Sequence, residues 1–211
     1  EIYGAPVHFV DSDTYVDVYA EMDRLAEELK KEGHKPYCIP VGGSTALGAL
    51  GYVACVEELA QQAQALGFAP SCIVGATGSG GTTAGLLLGA KLFLPQTKTL
   101  GIGVDDDDFD HIVPTLAHEA AALLERSLDI APQDFEMVYH FGAGYSIPNA
   151  EDTPAMLRLA REEGILLDPI YTGKAFSGML KLLGEGYFDS MEDIIFIHTG
   201  GAAALFAVDL A

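Results

Sequence analysis

Residues 72–85 read Cys-Ile-Val-Gly-Ala-Thr-Gly-Ser-Gly-Gly-Thr-Thr-Ala-Gly, and this stretch decides the fold class. An apolar run with the length of a buried strand leads into glycines and hydroxyl residues, and a helical pattern follows them. Glycine lets the backbone approach an anion closely, and the start of the helix directs free N–H groups and its dipole at that anion. The stretch therefore predicts a strand–loop–helix unit with a small phosphate site at its turn.

Better-known glycine motifs do not fit this stretch. A dinucleotide fingerprint needs Gly or Ala where Thr83 stands, and no acidic residue ends a strand about 20 residues further on. A P-loop needs Lys directly after its last glycine, where Thr82 stands. A nucleophile elbow needs Gly two residues before Ser79, where Thr77 stands. Two interpretations stay open: a cup for a single phosphate group, or a structural strand–helix turn, since such turns also use glycine.

Strand and helix patterns alternate along the whole chain. We predict strands over residues 6–10, 37–41, 71–77, 99–104, 135–141 and 193–199. We predict helices over residues 14–31 (capped by Asp13 or Thr14), 47–66, 82–93, 114–128, 154–163, 172–184 and 202–210. Such alternation is typical of βαβ units, and it predicts an α/β fold with a mostly parallel sheet covered by helices on both faces.

Charge and hydropathy argue against two classes of partner. The 211 residues include 11 basic and 31 acidic residues, which gives a net charge of −20. Such a surface repels phosphate backbones, so we expect no nucleic-acid partner. No apolar run approaches the roughly 18 residues of a transmembrane helix, so we expect no membrane partner, and no signal peptide is visible. Because the chain does not begin with Met, we expect it to be a piece of a longer protein.

Metal-binding and nucleophilic residues do not cluster in the sequence. The acidic run 105–108 lacks the pattern of a calcium loop, and we predict a solvated loop there. The six histidines are scattered, and no Ser-His-Asp arrangement is visible. The three cysteines form no Cys-x-x-Cys pair, so we expect buried small side chains in a reducing cytoplasm and no metal site. These cysteines are Cys38, Cys55 and Cys72.

Four stretches, in order along the chain, carry a further pattern. They are residues 36–53 (Pro-Tyr-Cys-Ile-Pro-Val-Gly-Gly-Ser-Thr-Ala-Leu-Gly-Ala-Leu-Gly-Tyr-Val), 76–82 (Ala-Thr-Gly-Ser-Gly-Gly-Thr), 167–175 (Leu-Asp-Pro-Ile-Tyr-Thr-Gly-Lys-Ala) and 196–201 (Phe-Ile-His-Thr-Gly-Gly). Together they resemble the D-cysteine desulfhydrase and 1-aminocyclopropane-1-carboxylate (ACC) deaminase family of enzymes that use pyridoxal 5'-phosphate (PLP). The resemblance covers essentially the whole chain and lies nearer the desulfhydrase branch.

The resemblance implies a particular fold and domain organisation. The fold would be the tryptophan-synthase-β-like type, called fold type II, an α/β fold with a large and a small domain. Residues 1–34 would be a remnant of the small domain, and residues 35–211 an incomplete large PLP-binding domain. In the family, the Schiff-base lysine and the loop that grips the substrate carboxylate lie upstream of this sequence. We therefore expect this chain alone to be inactive.

The resemblance also assigns roles to individual residues. Tyr171 would pack on the PLP ring, Tyr145 would lie near the substrate side chain, and Thr199 would hydrogen-bond the pyridine nitrogen. Lys174 matches a second lysine of the family, so we interpret it as structural and not as the lysine that binds PLP. The cofactor phosphate would be held by the glycine-rich residues, which are Thr77, Gly78, Ser79, Gly80, Gly81 and Thr82.

Two positions bear on the substrate. Deaminases of the family carry Glu where this chain has Thr172, and they tend to have Leu where Thr199 stands. Both departures favour β-elimination on D-cysteine, which gives pyruvate, sulfide and ammonia. An ACC deaminase and an L-cysteate sulfo-lyase stay open, as does an inactive fragment or a non-catalytic phosphate- or nucleotide-binding domain. The expected partners are a small amino-acid substrate and a second copy of the chain in a homodimer.

Overall fold

A computed structural model of the chain describes residues 3–12 and 14–207. The chain divides into two compact units, Glu1–Val41 and Gly42–Ala211, whereas the sequence predicts the division after residue 34. Among the described residues, no helix combines the length and the hydropathy that a membrane span needs.

The first unit contains one helix, α1 (Tyr15–Lys31). Thr14 stands at its N-cap in an extended conformation; the alternative cap, Asp13, lies outside the described residues. The helix predicted over residues 14–31 is therefore confirmed. The predicted strands at 6–10 and 37–41 are wrong, because both segments are irregular. Within the described part of this unit there is no strand with which they could pair, and prolines remove backbone donors from both.

The exposure of the first unit's apolar side chains agrees with this. Phe9 is 95% exposed and Tyr37 is 73% exposed, so neither segment has a buried face. Cys38 is exposed as well, Cys55 is partly exposed, and Cys72 is buried. The predicted burial of the cysteines is thus wrong for Cys38. Its segment forms no strand, so no neighbouring strand or sheet face shields the side chain from solvent. Burial raises the pKa of the Cys72 thiol to about 12.

The second unit is built on a four-stranded sheet in which every pairing is parallel. Its strands are β1 (Cys72–Thr77), β2 (Lys98–Gly103), β3 (Phe135–Tyr139) and β4 (Ile194–Ile197). They lie in the order β3-β2-β1-β4. Every residue of β1 is buried, because the strand has a neighbour on each side and helices on each face. The predicted parallel α/β sheet is confirmed.

Five helices flank this sheet. They are α2 (Ala46–Leu66), α3 (Gly81–Phe93), α4 (Phe109–Leu123), α5 (Thr153–Glu163) and α6 (Thr172–Gly184). Helices α2, α3 and α4 pack together on one face, while α6 packs against β1 and β2 with α5 beside it. Close packing of α2 and α3 depends on Gly85, where a Cβ would overlap the carbonyl oxygen of Ala49.

Two predicted helices differ from the structure. The helix predicted over 114–128 is α4, which begins at Phe109 and ends at Leu123, so Pro114 lies inside it. The start lies earlier because Phe109 is a fully buried core residue that packs directly after the exposed acidic run. The apolar stretch at 202–210 forms only a 3₁₀ helix, Ala202–Ala207, and residues 208–210 lie outside the described part.

The topology fixes where a ligand can bind. Strand β1 has β2 on one side and β4 on the other, with α3 following it on one face of the sheet and α6 packed on the other face. Between β1 and β4 the strand order therefore reverses. In open α/β sheets such a switch point opens a crevice at the carboxyl ends of the strands, which is where ligands bind.

Candidate functional site

The loop between β1 and α3, residues 78–81, lies at the carboxyl end of the central strand; we call it the glycine loop. Gly80 occupies the N-cap of α3 with φ of +87°, a left-handed conformation that favours glycine. An α-helix leaves the N–H groups of its first turn without intrahelical partners. Because Gly78, Ser79 and Thr82 are partly exposed, this helix start is accessible to an anion.

A second glycine turn, Gly42-Gly43-Ser44, packs on the glycine loop. No role was predicted for this turn from the sequence. The Ser44 hydroxyl donates to Ser79 Oγ at 2.8 Å and accepts from the Gly81 N–H at 3.1 Å. A Cβ at Gly42 would overlap the Ser79 hydroxyl, so only glycine fits there. The signal was present in the sequence as Gly42-Gly43-Ser44, directly before α2. Ser44 therefore fixes the orientation of Ser79 from outside the glycine loop.

Thr77 differs from the other residues predicted to hold the phosphate. It is 1% exposed, and its hydroxyl is hydrogen-bonded to that of Thr83 at 2.7 Å. Its carbonyl oxygen accepts from the Val104 N–H at 2.9 Å. The Thr77 side chain thus links β1 to the first turn of α3 and does not face the open side of the loop.

Tyr171 lies directly against the glycine loop. A Cβ at Gly78 would lie 2.8 Å from Tyr171 Cε2 and 3.5 Å from Tyr145 Cε2, so both predicted tyrosines meet this glycine. The Tyr171 hydroxyl donates to the Ala76 carbonyl at 3.0 Å. Removal of the phenol from water, followed by the nearby Tyr145 and Tyr52 phenols, raises its pKa well above the ordinary value of 10.0. Tyr171 is therefore a neutral hydrogen-bond donor at physiological pH.

Asp168 holds the start of α6 and was also missed. This carboxylate is 1% exposed and accepts hydrogen bonds from the N–H groups of Ile170, Tyr171 and Thr172, at 2.9, 2.6 and 2.8 Å. It also accepts from the Thr172 hydroxyl at 2.8 Å. A carboxylate at the first turn of a helix satisfies its free donors and matches its dipole. The sequence signal was an Asp-Pro pair just before a helical pattern.

Thr199 lies just beyond β4, beside the same crevice. Ile197 pairs with Gly75 in the parallel ladder, so Thr199 and Thr77 each stand two residues past a paired position. The carbonyl of Gly200 accepts from the Thr172 hydroxyl at 3.4 Å, and a Cβ at Gly201 would lie 2.6 Å from Asp168 Oδ2. The segment that carries Thr199 is therefore packed on the start of α6.

Tyr145 belongs to residues 141–149, which follow β3; we call this segment the Tyr145 loop. The ammonium of Lys174, a fully buried residue of α6, donates to the carbonyls of Phe141 and Gly144, each at 2.7 Å. Desolvation lowers the pKa of Lys174, while the negative charges of Asp152 and Asp105 oppose the shift. A lysine held in this way has no exposed amine.

A further polar group lies at the base of the Tyr145 loop. The ligand atoms of His140, Glu151 and Asp152 lie within 4.8 Å of one another, a grouping that the sequence spacing did not predict. His140 Nε2 and Asp152 Oδ1 are hydrogen-bonded at 2.8 Å, and Asn149 donates to Asp152 Oδ2 at 2.9 Å. Because the buried carboxylate already has partners at both oxygens, the group closes the loop internally. The acidic run 105–108 is mainly an exposed loop, as predicted.

Comparison with known proteins places this site in a family. The model of the pyridoxal-phosphate dependent enzyme family matches residues 1–200. The chain belongs to this family. It is similar to a solved ACC deaminase homologue, with 36% identity and a TM-score of 0.87 over 96% of this chain. The chain spans 61% of the length of that homologue.

Two other solved structures are more distant. The processed form of threonine deaminase isoform 2 from Solanum lycopersicum has 16% identity and a TM-score of 0.49, over 88% of this chain and 52% of that one. A fungal L-serine ammonia-lyase from Rhizomucor miehei has 16% identity and a TM-score of 0.47, over 72% and 51%. The assignment to fold type II rests on the family match and on the ACC deaminase homologue.

The residues of the site fit the family's cofactor, PLP. The glycine loop offers the start of a helix, which suits a phosphate dianion, with the Ser79 and Thr82 hydroxyls beside it. The close approach at Gly78 places an aromatic ring, Tyr171, next to that phosphate cup. Thr199 lies at the end of the adjacent strand, across from the start of the loop. The structure thus places Tyr171 and Tyr145 against Gly78 of the glycine loop, and Thr199 just after the strand that pairs with β1.

Proposed function

We propose that this protein is a PLP-dependent lyase that converts D-cysteine to pyruvate, sulfide and ammonia. The observation that carries the proposal is the pair of neutral hydroxyl residues, Thr172 at the start of α6 and Thr199 just after β4, in this family member. The Thr172 hydroxyl is directed to Asp168 at 2.8 Å. Position 172 therefore offers no carboxylate to a substrate, where the resemblance gives deaminases a glutamate.

PLP, when bound, stabilises negative charge that develops at the substrate Cα. The chain's own residues would orient it: the first N–H groups of α3 and the Ser79 and Thr82 hydroxyls would hold the phosphate, and the helix dipole would favour its charge. Tyr171, fixed through Ala76, would pack against the ring and exclude water from that side.

Thr199 would set the electronic character of the cofactor. A neutral hydroxyl hydrogen-bonds the pyridine nitrogen without holding a proton on it, as a carboxylate would. The ring would then accept electron density less strongly, which suits a reaction whose leaving group departs soon after Cα is deprotonated. Tyr145, which meets Gly78 from the same side as Tyr171, would contact the substrate side chain.

Lys174 would not be the lysine that binds PLP covalently. Its side-chain nitrogen is buried and donates to two carbonyls, so it is not accessible to the cofactor. Borohydride reduction of the 211-residue chain mixed with PLP should give no adduct on Lys174 in peptide mass spectrometry. A PLP adduct at that residue would contradict this assignment.

An ACC deaminase is the second candidate, because the similar solved structure is an ACC deaminase homologue. The deciding measurement is kcat/KM of the full-length enzyme for sulfide release from D-cysteine, compared with 2-oxobutanoate formation from ACC. L-Cysteate serves as a third substrate. We expect D-cysteine to give the highest kcat/KM, and a preference for ACC or for L-cysteate would overturn the substrate assignment.

A further inference from the structure

Lys174 is a buried ammonium that the proposed chemistry does not use. It is 0% exposed and lies on α6, three residues after Tyr171. Burying a cation is unfavourable unless its N–H groups and its charge find partners. It donates hydrogen bonds to the carbonyl oxygens of Phe141 and Gly144, at 2.7 Å each. Both acceptors are backbone carbonyls of the Tyr145 loop, so the loop itself forms the ammonium site.

The charge of this ammonium is opposed by burial and favoured by two carboxylates. Desolvation lowers the pKa of Lys174, while Asp152, at the base of the Tyr145 loop, and Asp105, two residues after β2, oppose that shift. Carbonyl dipoles and nearby carboxylates are the surroundings that a small cation requires. Removing the cation would leave two partly buried carbonyls without their donor and would remove both hydrogen bonds by which Lys174 attaches the loop to α6.

The two ends of the Tyr145 loop are attached separately. Asp152 bonds His140 before the loop and Asn149 at its end, at 2.8 and 2.9 Å. Lys174 holds the part between them, and Tyr145 follows Gly144, whose carbonyl is one of the two acceptors. Lys174 therefore binds the loop directly next to Tyr145.

We infer that Lys174 is a positioning residue: its ammonium acts as a built-in cation that holds the Tyr145 loop against the glycine loop. Helix α6 then places both tyrosines, since Tyr171 stands at its start and Lys174 lies one turn further on. The kinetic part of this inference rests on the proposed role of Tyr145 beside the substrate. The attachment of the loop itself does not rest on it.

The test replaces the cation in the full-length protein. Lys174→Ala opens a space that matches n-propylammonium, whereas n-propanol has the same shape without the charge. We expect faster amide hydrogen exchange at residues 141–149, a KM for the amino-acid substrate raised about tenfold, and a PLP Kd changed by less than about twofold. n-Propylammonium should restore both the exchange protection and the KM, and n-propanol should restore neither.

Two further variants, Lys174→Met and the double variant with Tyr145→Ala, separate loss of charge from loss of volume and test whether Lys174 acts through Tyr145. Lys174→Met keeps most of the volume without charge, so it should show the fast loop exchange and should not respond to n-propylammonium. If Lys174→Ala does not fold, the exchange of Lys174→Met decides alone. In a Tyr145→Ala background, Lys174→Ala should raise KM no further, because the residue through which it acts is already gone.

Unchanged exchange at residues 141–149 in both variants would overturn the inference, and so would equal rescue by n-propanol. A wild-type enzyme that turns over none of the amino acids would contradict the proposed function alone. In that case the exchange measurements would still test whether Lys174 holds the loop.

Discussion

Two loops border the candidate site, and they are held in different ways. The glycine loop joins a fully buried strand to a largely buried helix, so the backbone on either side of it determines its position. The Tyr145 loop follows the edge strand β3 and is held by side chains, mainly Lys174 and Asp152, that come from other elements. A loop fixed by its backbone should tolerate loss of one side chain, whereas a loop fixed by a few side chains should not.

We expect the largest loss of stability when a side chain that accepts hydrogen bonds from several backbone N–H groups is removed. Asp168→Ala leaves three buried or partly buried N–H groups at the start of α6 without their acceptor. We expect the free energy of unfolding to fall by about 3 kcal/mol or more, as for other buried polar networks that lose one partner. Urea denaturation measures it. Asp129→Ala, at an exposed position, should change stability by less than about 0.5 kcal/mol.

Gly78→Ala tests the glycine loop, whose position is determined by the backbone on either side of it. The added Cβ would lie 2.8 Å from the Tyr171 ring, and such overpacking costs about 1–3 kcal/mol. We expect that cost to appear as a weaker affinity for PLP, roughly tenfold to a hundredfold, measured by fluorescence titration. The matched control is Gly51→Ala in α2, where a Cβ meets nothing within 4 Å. Undiminished PLP affinity in Gly78→Ala would mean that the cup lies elsewhere.

Tyr171→Phe sharpens the comparison, because it keeps the ring that touches Gly78 and removes only the hydroxyl. The variant loses one hydrogen bond, to the Ala76 carbonyl, so we expect a loss of about 1 kcal/mol in stability and a PLP affinity within a few-fold of wild type. Tyr171→Ala should weaken PLP binding further. If instead the alanine variant had a much lower melting temperature without PLP and an unchanged PLP Kd, Tyr171 would be a core residue only.

The smallest expected effect is on the pH dependence of stability, through Asp152 at the base of the Tyr145 loop. Burial opposes the charge of Asp152, but hydrogen bonds from His140, Ser177 and Asn149 outweigh it and hold the pKa of the carboxyl below its ordinary 3.8. The group therefore stabilises the fold above about pH 4, and this contribution is lost as the pH falls through the folded-state pKa.

Asp152→Asn removes that titrating group. We expect the stability of the variant to depend less steeply on pH between about pH 5 and pH 3 than that of the wild-type protein. Thermal unfolding at several pH values measures the slope. An identical slope in the two proteins would show that Asp152 does not contribute, and Asp129→Ala again provides the control.

The sequence predicts the backbone around the glycine loop well and the side-chain contacts of the Tyr145 loop poorly. Residues 72–85 contain the strand, the loop and the helix start within one local pattern, so this strand–loop–helix unit could be predicted. The bonds of Lys174 to Phe141 and Gly144 join residues 30 or more positions apart, and no local pattern encodes them. Ser44 and Asp168 had local signals, a glycine pair and an Asp-Pro pair, but their partners depended on the tertiary fold.

The errors in secondary structure have a related cause. Residues 6–10 and 37–41 have the apolar content of strands, yet a strand also needs a neighbour, and local composition does not report one. The Ala/Leu-rich pattern predicts a helix that starts at Pro114. Burial of Phe109 instead extends the helix over the preceding turn.

The pairing of β1 with β4 has a consequence for the order of folding. Strands β1, β2 and β3 follow one another along the chain, whereas β4 joins β1 only after a long closure: the bond between Ser71 and Glu192 at the start of this pairing spans 121 positions. Closing such a long loop costs chain entropy before its contacts form, so we expect this step to come late. Thr199 follows β4, and a newly made chain would therefore form the glycine loop before it brings Thr199 to the end of the strand beside β1.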